Sequence, residues 1–517
     1  MAMSRTRNSI KNIIFALIGQ ILALLISFIA RTIFIRILGK EILGLNGLFT
    51  NILSMLSFAE LGIGSAIIYS MYKPLANNDE KAISSLINLY AKAYNIIGII
   101  ILILGITLLP FLKFLVKDYE TYTYMNINLI YVLFVINSAI TYFYSYKRSI
   151  IVANQKKYID SINRTIFLLL LNVVQLVILY ITRNYILYLL IQILFGFLEN
   201  ISISIIANKL YPYLKVNKKL KVDKKEKEEI YTNVKALTVH KIASTFVTST
   251  DNIIISKFIG IVAVGIYSNY FLIINAVKII LNQAFTAITS SVGNLNAVES
   301  VEKSESVFKT LYFFSFWVVS LASTLLIVLL NPFITIWLGE EFLFDFYIVA
   351  IIVLNFYLYE MRQPLFVYKN TYALFTFDKY VPILEAIINI IASIVLLKFF
   401  GIIGVFIGTS LSTLLTCFWA EPLILYKKKF NSNISKFFIK YLKYFMITVF
   451  NCIICYYLCV NLPLNIIGLI LRGVICLIIA NTVIILLSYR NKEFKDICNR
   501  LKKFIINKNK LERENYE

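Results

Sequence analysis

Fourteen runs of mostly apolar residues, each long enough for a membrane helix, succeed one another along this 517-residue chain. They lie near residues 12–35, 44–71, 86–110, 125–145, 160–182, 185–207, 236–258, 264–290, 311–331, 345–365, 383–399, 402–425, 440–461 and 466–489. About 20 such residues in a helix cross the hydrocarbon core of a bilayer. Lipid offers no partner to an open backbone group, so only helices and closed barrels can span it. Barrel strands run to about 10 residues with alternating polarity. The runs here are longer and uniformly apolar, which predicts an all-α polytopic membrane protein with about 14 transmembrane helices. Composition agrees: 59% of residues are hydrophobic and 15% charged, against roughly 25% charged in a usual soluble domain. A soluble enzyme, a disordered chain, a collagen-like fibre and a disulfide-stapled secreted module are excluded.

The formal net charge is +23, from 51 Lys+Arg against 28 Asp+Glu. In a soluble protein that excess would suggest nucleic acid. Here the cations concentrate in alternate connections, with nine Lys in 208–235 and nine Lys/Arg in 490–517. Cytoplasmic loops of membrane proteins carry this bias, so both termini are expected inside, nucleic acid is not expected as a partner, and the basic segments are expected to meet anionic lipids. The first run is too long for a signal-peptide core and lacks a small-residue cleavage site, so it is read as a retained span. The tail places Phe494, Ile497, Leu501, Phe504 and Ile505 on one helical face, as an amphipathic helix on the inner leaflet would.

Little points to catalysis. No outer connection is long enough for a folded domain. The only histidine, His240, is read as an interfacial residue, with a proton relay as the alternative. No phosphate-binding Gly loop, HExxH or nucleophile elbow is found. Of the six cysteines, Cys417, Cys452, Cys455, Cys459 and Cys476 lie in predicted spans and Cys498 in the tail, which implies neither disulfides nor a metal site. No cofactor is expected and the chain is not read as an enzyme; a transporter fits better.

A turn recurs. Arg36-Ile37-Leu38-Gly39 followed by Gly44-Leu45 is matched by Lys257-Phe258-Ile259-Gly260 followed by Gly265-Ile266, at an offset of 221. The offset equals six spans, as a duplicated six-helix lobe would give, with a pseudo-two-fold along the membrane normal. The expected organisation is an N-terminal six-helix lobe (1–207), a basic cytoplasmic linker (208–235), a C-terminal six-helix lobe (236–426), two additional helices (427–489) and a basic cytoplasmic tail (490–517).

These turns resemble those of polysaccharide flippases of the multidrug/oligosaccharidyl-lipid/polysaccharide exporter superfamily. The resemblance continues through Glu60-Leu-Gly62-Ile-Gly64-Ser-Ala66, Asp251-Asn-Ile-Ile-Ile-Ser256, Gly265-Ile-Tyr267-Ser268, Ile336-Trp-Leu-Gly339 and Gly401-Ile-Ile-Gly404-Val-Phe-Ile-Gly408-Thr409. Each stretch is short and apolar; their joint order is the more specific signal. The resemblance implies a bacterial cytoplasmic-membrane flippase that moves polyprenyl-diphosphate-linked glycan for capsule, O-antigen or teichoic-acid-type export. It would act as a monomer beside a glycan polymerase or glycosyltransferases, through a cationic cavity that alternates between inward- and outward-open states. The alternatives are a cation-coupled drug or metabolite exporter of the same superfamily and a non-transporting scaffold for glycan enzymes.

Charges inside a membrane cost about 2.5–3.5 kcal/mol each on insertion scales, so each needs a reason. Arg31 and Lys278 are expected to receive a diphosphate, one through a planar fork and the other as a point charge. Glu60 and Asp251 would compete with substrate for those cations or take up a coupling proton; fixed ion pairs between helices are the alternative for all four. Glu360 and Arg362, just before Pro364, are expected at the inner mouth that admits substrate. Glu199 and Glu385 are expected to line a cavity or to couple transport to Na⁺ or H⁺, with no ion-site spacing readable. Lys92, Arg164 and Lys241 are read as snorkelling, and Glu421 and Arg472 as interfacial or packing charges.

Overall fold

In the computed structural model the described residues are 2–57, 63–122, 124–216, 220–224, 227–228, 230–231, 249–372, 374 and 377–500. Glu60, His240, Lys241, Leu501, Phe504 and Ile505 lie outside them. All regular structure among the described residues is helical, and the chain divides into two compact units, residues 1–268 and 269–517.

Unit 1 contains α1 (Ala2–Leu56), α2 (Ile63–Ala76), α3 (Glu80–Thr107), α4 (Ile127–Ile140), a short α5 (Arg148–Ala153), α6 (Lys157–Thr182) and α7 (Tyr185–Leu210). A further helical stretch covers 249–258. The helix α8 (Ile261–Val298) begins in unit 1 and ends in unit 2. Unit 2 continues with α9 (Val301–Trp337), α10 (Phe346–Glu360), α11 (Gln363–Thr371), α12 (Val381–Phe400), α13 (Ile402–Leu415), α14 (Cys417–Leu425), α15 (Ser435–Cys459) and α16 (Ile466–Ser488).

Local chemistry sets many of the boundaries. The side chains of Asp79, Asn126, Asn184, Ser300 and Asn465 accept backbone N–H groups that open α3, α4, α7, α9 and α16, which supplies partners missing from a first helical turn. The two-residue hairpin at Arg183-Asn184 forms with Arg183 left-handed at φ +51°. The hairpin at Gly401 turns through φ +63°, a conformation open to glycine. Beyond it a Cβ on Gly404 would stand 2.2 Å from the Leu396 carbonyl oxygen, and one on Gly408 would stand 2.6 Å from the Ser393 nitrogen. The glycine spacing of that segment therefore lets α12 and α13 pack backbone on backbone.

Among the described residues, eleven helices are long and apolar enough to cross a membrane. They differ from the fourteen expected runs in three places. Ile14–Leu56 holds two helical segments that meet at Gly39, whose φ +81° and ψ 178° are non-helical, so the run 12–35 and the 44–56 part of the run 44–71 fall in one continuous stretch. The run 236–258 lies mostly outside the described residues. The run 345–365 is broken between α10 and α11, before Pro364, which cannot continue an N–H ladder. The chain is a multi-pass membrane protein. Its apolar residues accordingly face outward as well as in: Ile14, Leu17, Ile18, Ile21 and Leu25 of α1 are all exposed.

Of the tail's expected apolar face, Phe494 and Ile497 lie among the described residues, in a helical stretch over 492–500. Phe494 stacks on Trp317 at 5.6 Å and meets Phe313 at 6.3 Å, so the described start of the tail docks on α9. An aromatic face was already waiting there, and it competes with lipid for the same ring.

Candidate functional site

The repeated turn is built from glycines in backbone conformations that other residues avoid. Gly39 has φ +81° and Gly260 has φ +133°, so each turn re-aims a helix where a Cβ would be strained. The two turns then meet. A Cβ on Gly44 would stand 1.9 Å from the Ile261 carbonyl oxygen, and one on Gly265 would stand 2.5 Å from the Lys40 carbonyl oxygen. Ile261 is the repeat mate of Lys40, and Gly265 is that of Gly44. The contact is therefore reciprocal. Gly47 and its own mate Ser268 face each other at the same place: a Cβ on Gly47 would stand 3.8 Å from Ser268 Cβ.

Arg31 is tied to this crossing. Its Nη1 donates to Ser268 Oγ at 3.1 Å, and Ser268 Oγ donates to the Gly265 carbonyl at 2.7 Å. One turn along α1, Phe34 packs edge-on against Tyr185 and Tyr188. Asp251 is buried in the 249–258 stretch, within electrostatic reach of Tyr267. Lys278, on α8 in unit 2, lies over the ring of Tyr359 at 4.6 Å. Next to that tyrosine, Glu360 is fully buried with no hydrogen-bond partner on either carboxylate oxygen among the described residues, and it interacts electrostatically with Lys278.

The other candidates fall into ion clusters. In unit 1, Arg148 pairs with Asp160 at 2.7 Å and with Glu199, and Arg164 pairs with Asp160 at 3.3 Å. Asn163 donates to Glu199 Oε1 at 3.3 Å. In unit 2, Arg362 grips Glu421 with two bonds of 2.9 Å and reaches Glu385 at 3.4 Å. Glu385 also accepts from Thr413 Oγ1 at 2.8 Å and Cys417 Sγ at 3.0 Å. Lys369 pairs with Asp378 and, at 3.3 Å, with Glu421. Such forked, buried pairing fixes geometry more than it adds stability.

The clusters share an order of charges along the chain. Each has an arginine at the start of a short helix (Arg148 opening α5, Arg362 just before α11) and an acid early in the next long helix (Asp160 in α6, Glu385 in α12). A further acid comes from the following helix in unit 1 (Glu199 in α7) and from the second helix on in unit 2 (Glu421 in α14). At the offset of 221 it is Lys369, not Arg362, that falls opposite Arg148. Glu199, Arg362 and Glu385 are thus brought into ion pairs. Arg148, Asp160, Lys369 and Asp378 were missed by sequence reasoning because they lie in or beside connections that read as solvated, although Asp160, Lys369 and Asp378 are buried. Glu421, read as an interfacial or packing charge, is the centre of its cluster. Arg472 donates to the carbonyls of Leu462 at 2.6 Å and Pro463 at 2.8 Å, a packing role.

Chemically, the cations separate into two sets. Arg148, Arg362 and Lys369 are neutralised by carboxylates. Among the described residues, Arg31 and Lys278 form no ion pair with a carboxylate, and they rest on a hydroxyl and a ring face. Those two retain donors for an anion.

The family model described as polysaccharide biosynthesis protein matches residues 9–290. No curated protein matches the chain. Among solved structures, the chain is similar to the lipid II flippase MurJ in an inward closed conformation, with 14% identity, a TM-score of 0.67, and coverage of 92% of this chain and 99% of that one. It is also similar to an inward-facing multidrug resistance transporter of the MATE family in the MOP superfamily, with 14% identity, a TM-score of 0.62, and coverage of 80% and 98%. A MATE transporter of Vibrio cholerae matches at 13% identity and a TM-score of 0.55, covering 84% and 99%. At these identities the likeness is one of fold.

Proposed function

Because the chain belongs to the polysaccharide biosynthesis protein family, we propose that it is a flippase for a polyprenyl-diphosphate-linked oligosaccharide, moving it across the bacterial cytoplasmic membrane by alternating access for surface-polysaccharide export. The observation that carries this reading is the chemistry of Arg31 and Lys278. They are membrane-embedded cations without a carboxylate pair among the described residues. Keeping a cation there costs energy that a diphosphate ligand would offset. Glu360, its carboxylate near Lys278 and without a hydrogen-bond partner among the described residues, is the counter-charge that substrate would displace or that a coupling H⁺ would neutralise. Glu60 and Asp251 are assigned to competition with substrate for the cations or to uptake of a coupling proton. Glu199, Arg362 and Glu385 are assigned to rigid clasps rather than to contact with substrate.

The proposal includes two six-helix lobes (1–207 and 236–426), fourteen spans and cytoplasmic termini. It is supported by the reciprocal glycine contact and by the shared order of charges in the two clusters. Alternating access needs lobes that move as bodies, and an internally paired cluster in each would keep its helices together.

The test is transport of a fluorescent diphosphate-linked oligosaccharide into liposomes containing the purified protein. Arg31→Gln and Lys278→Gln should each lower the rate at least about tenfold, the loss of one charge-assisted contact, with the thermal midpoint unchanged. Retained transport in the Glu360→Lys, Lys278→Glu double variant would sink the binding role of Lys278, since a mere ion pair survives a swap. The multidrug reading predicts the opposite pattern, with cationic drugs moved and both Gln variants active.

A further inference from the structure

Unit 1 holds a cavity of about 490 Å³ between α1, α6 and α7, within the usual range for small-ligand sites. Small residues open it: Ala16, Gly19 and Ala23 on α1 and Gly196 on α7. A Cβ on Gly19 would meet Thr165 Oγ1 at 2.6 Å. Phe15, Phe195, Leu168 and Leu171 form apolar walls, while Arg164 and Glu199 stand on the same lining. Neighbouring side chains of the three helices, including Ile18, Ile166 and Leu194, are exposed and apolar, so the cavity is continuous with a lipid-facing surface.

Its charges are arranged in series. Arg164 pairs with Asp160, Asp160 with Arg148, and Arg148 with Glu199. The four charges cancel, so no net charge selects an anion. Arg164 keeps 58% of its side chain exposed and has donors left for a phosphate. Glu199 borders the cavity as an acceptor. An anionic head group would satisfy Arg164 and meet repulsion from Glu199; a head group carrying both a phosphate and a primary ammonium would satisfy both.

We propose that this cavity binds a zwitterionic phospholipid of the phosphatidylethanolamine type, its phosphate on Arg164, its ammonium toward Glu199, and one acyl chain among Phe15, Phe195 and Leu168. A quaternary ammonium cannot donate a hydrogen bond to Glu199, so phosphatidylcholine is a poorer ligand. The site lies in one unit and rests on no substrate assignment; its failure leaves the transport reading untouched.

The experiment titrates the delipidated full-length protein with phosphatidylethanolamine, phosphatidylcholine and phosphatidylglycerol, reading bound lipid by native mass spectrometry. The ethanolamine lipid should bind tightest. Arg164→Gln should weaken it about tenfold, as loss of one charged contact implies, and Ala23→Phe should fill the cavity and abolish binding. Should Ala23→Phe misfold, as judged by its thermal midpoint, Arg164→Gln with its exposed side chain decides alone. Equal binding of the three lipids, preference for phosphatidylglycerol, or unchanged binding in Arg164→Gln would overturn the assignment.

Discussion

The crossing of the two glycine turns makes a sharp prediction for Gly44→Ala. The added methyl would stand 1.9 Å from the Ile261 carbonyl oxygen and 2.7 Å from its carbon. Contacts under 3.0 Å are essentially never made by real Cβ atoms, so the backbones must part by roughly 1 Å. Both obstructing atoms belong to main chain and cannot rotate away. Overpacking costs about 1–3 kcal/mol, and a backbone obstacle places this case near the upper end, against a gain of under ~1 kcal/mol from replacing a helical glycine. Gly265→Ala should behave alike but more mildly, because its methyl would stand 2.5 Å from the Lys40 oxygen. Gly473→Ala is the control: it lies in α16 with nothing within 4 Å of the added atom, and should be neutral or stabilising. Thermal midpoints of the detergent-purified protein should fall by a few degrees for Gly44→Ala, less for Gly265→Ala, and not for Gly473→Ala. Transport should follow the same order. If Gly44→Ala melts like Gly473→Ala, the close approach is not a feature of the folded protein and the reasoning fails.

Other outcomes follow from the same geometry. Arg362→Met strands Glu421 and Glu385 beside a single remaining cation and should destabilise the protein by about 3–5 kcal/mol, with much of the loss recovered in Arg362→Met, Glu421→Leu, Glu385→Leu if Lys369 keeps Asp378; denaturant titration measures both. Glu493 lies beyond the last span, where burial disfavours its charge but the Lys440 ammonium outweighs that and holds its carboxyl below the usual range. Its contribution is therefore complete above about pH 4.3, the ordinary glutamate value, and is lost as pH falls through the lower folded value; Glu493→Gln should flatten that part of a melting-versus-pH profile. A water-soluble maleimide should label Cys498, which is partly exposed outside the spans, and spare the buried Cys417, Cys455, Cys459 and Cys476; rapid labelling of Cys417 would contradict its burial against Glu385.

The readable parts of the fold were those set by local rules. Length and uniform hydrophobicity place helices, and the turn residues Gly39, Gly260, Arg183-Asn184 and Gly401 fall where the sequence punctuates them, because a single residue's backbone freedom decides each. Arg31 and Lys278 were also visible, since a charge in an apolar run declares itself. What stayed hidden depends on distant residues. Arg148 finds Glu199 fifty-one positions away and Arg362 finds Glu421 fifty-nine away, with no period linking them. Lys369 and Asp378 look like ordinary loop charges until the fold buries them. At α1 the sequence punctuates the chain at Gly39, and the backbone there is non-helical, so the segments before and after it are separate helices.

The crossing at Gly44 and Gly265 has a further implication. A contact in which each residue meets the mate of its partner is the arrangement found between two identical subunits about a two-fold axis. Here one polypeptide supplies both sides. On the duplicated reading, a half-length ancestor would have met a second copy of itself through this glycine face, and fusion turned a self-association into an internal joint. The two sides would then have been free to diverge, as Lys40 matched with Ile261 and Gly47 matched with Ser268 in the joint would record.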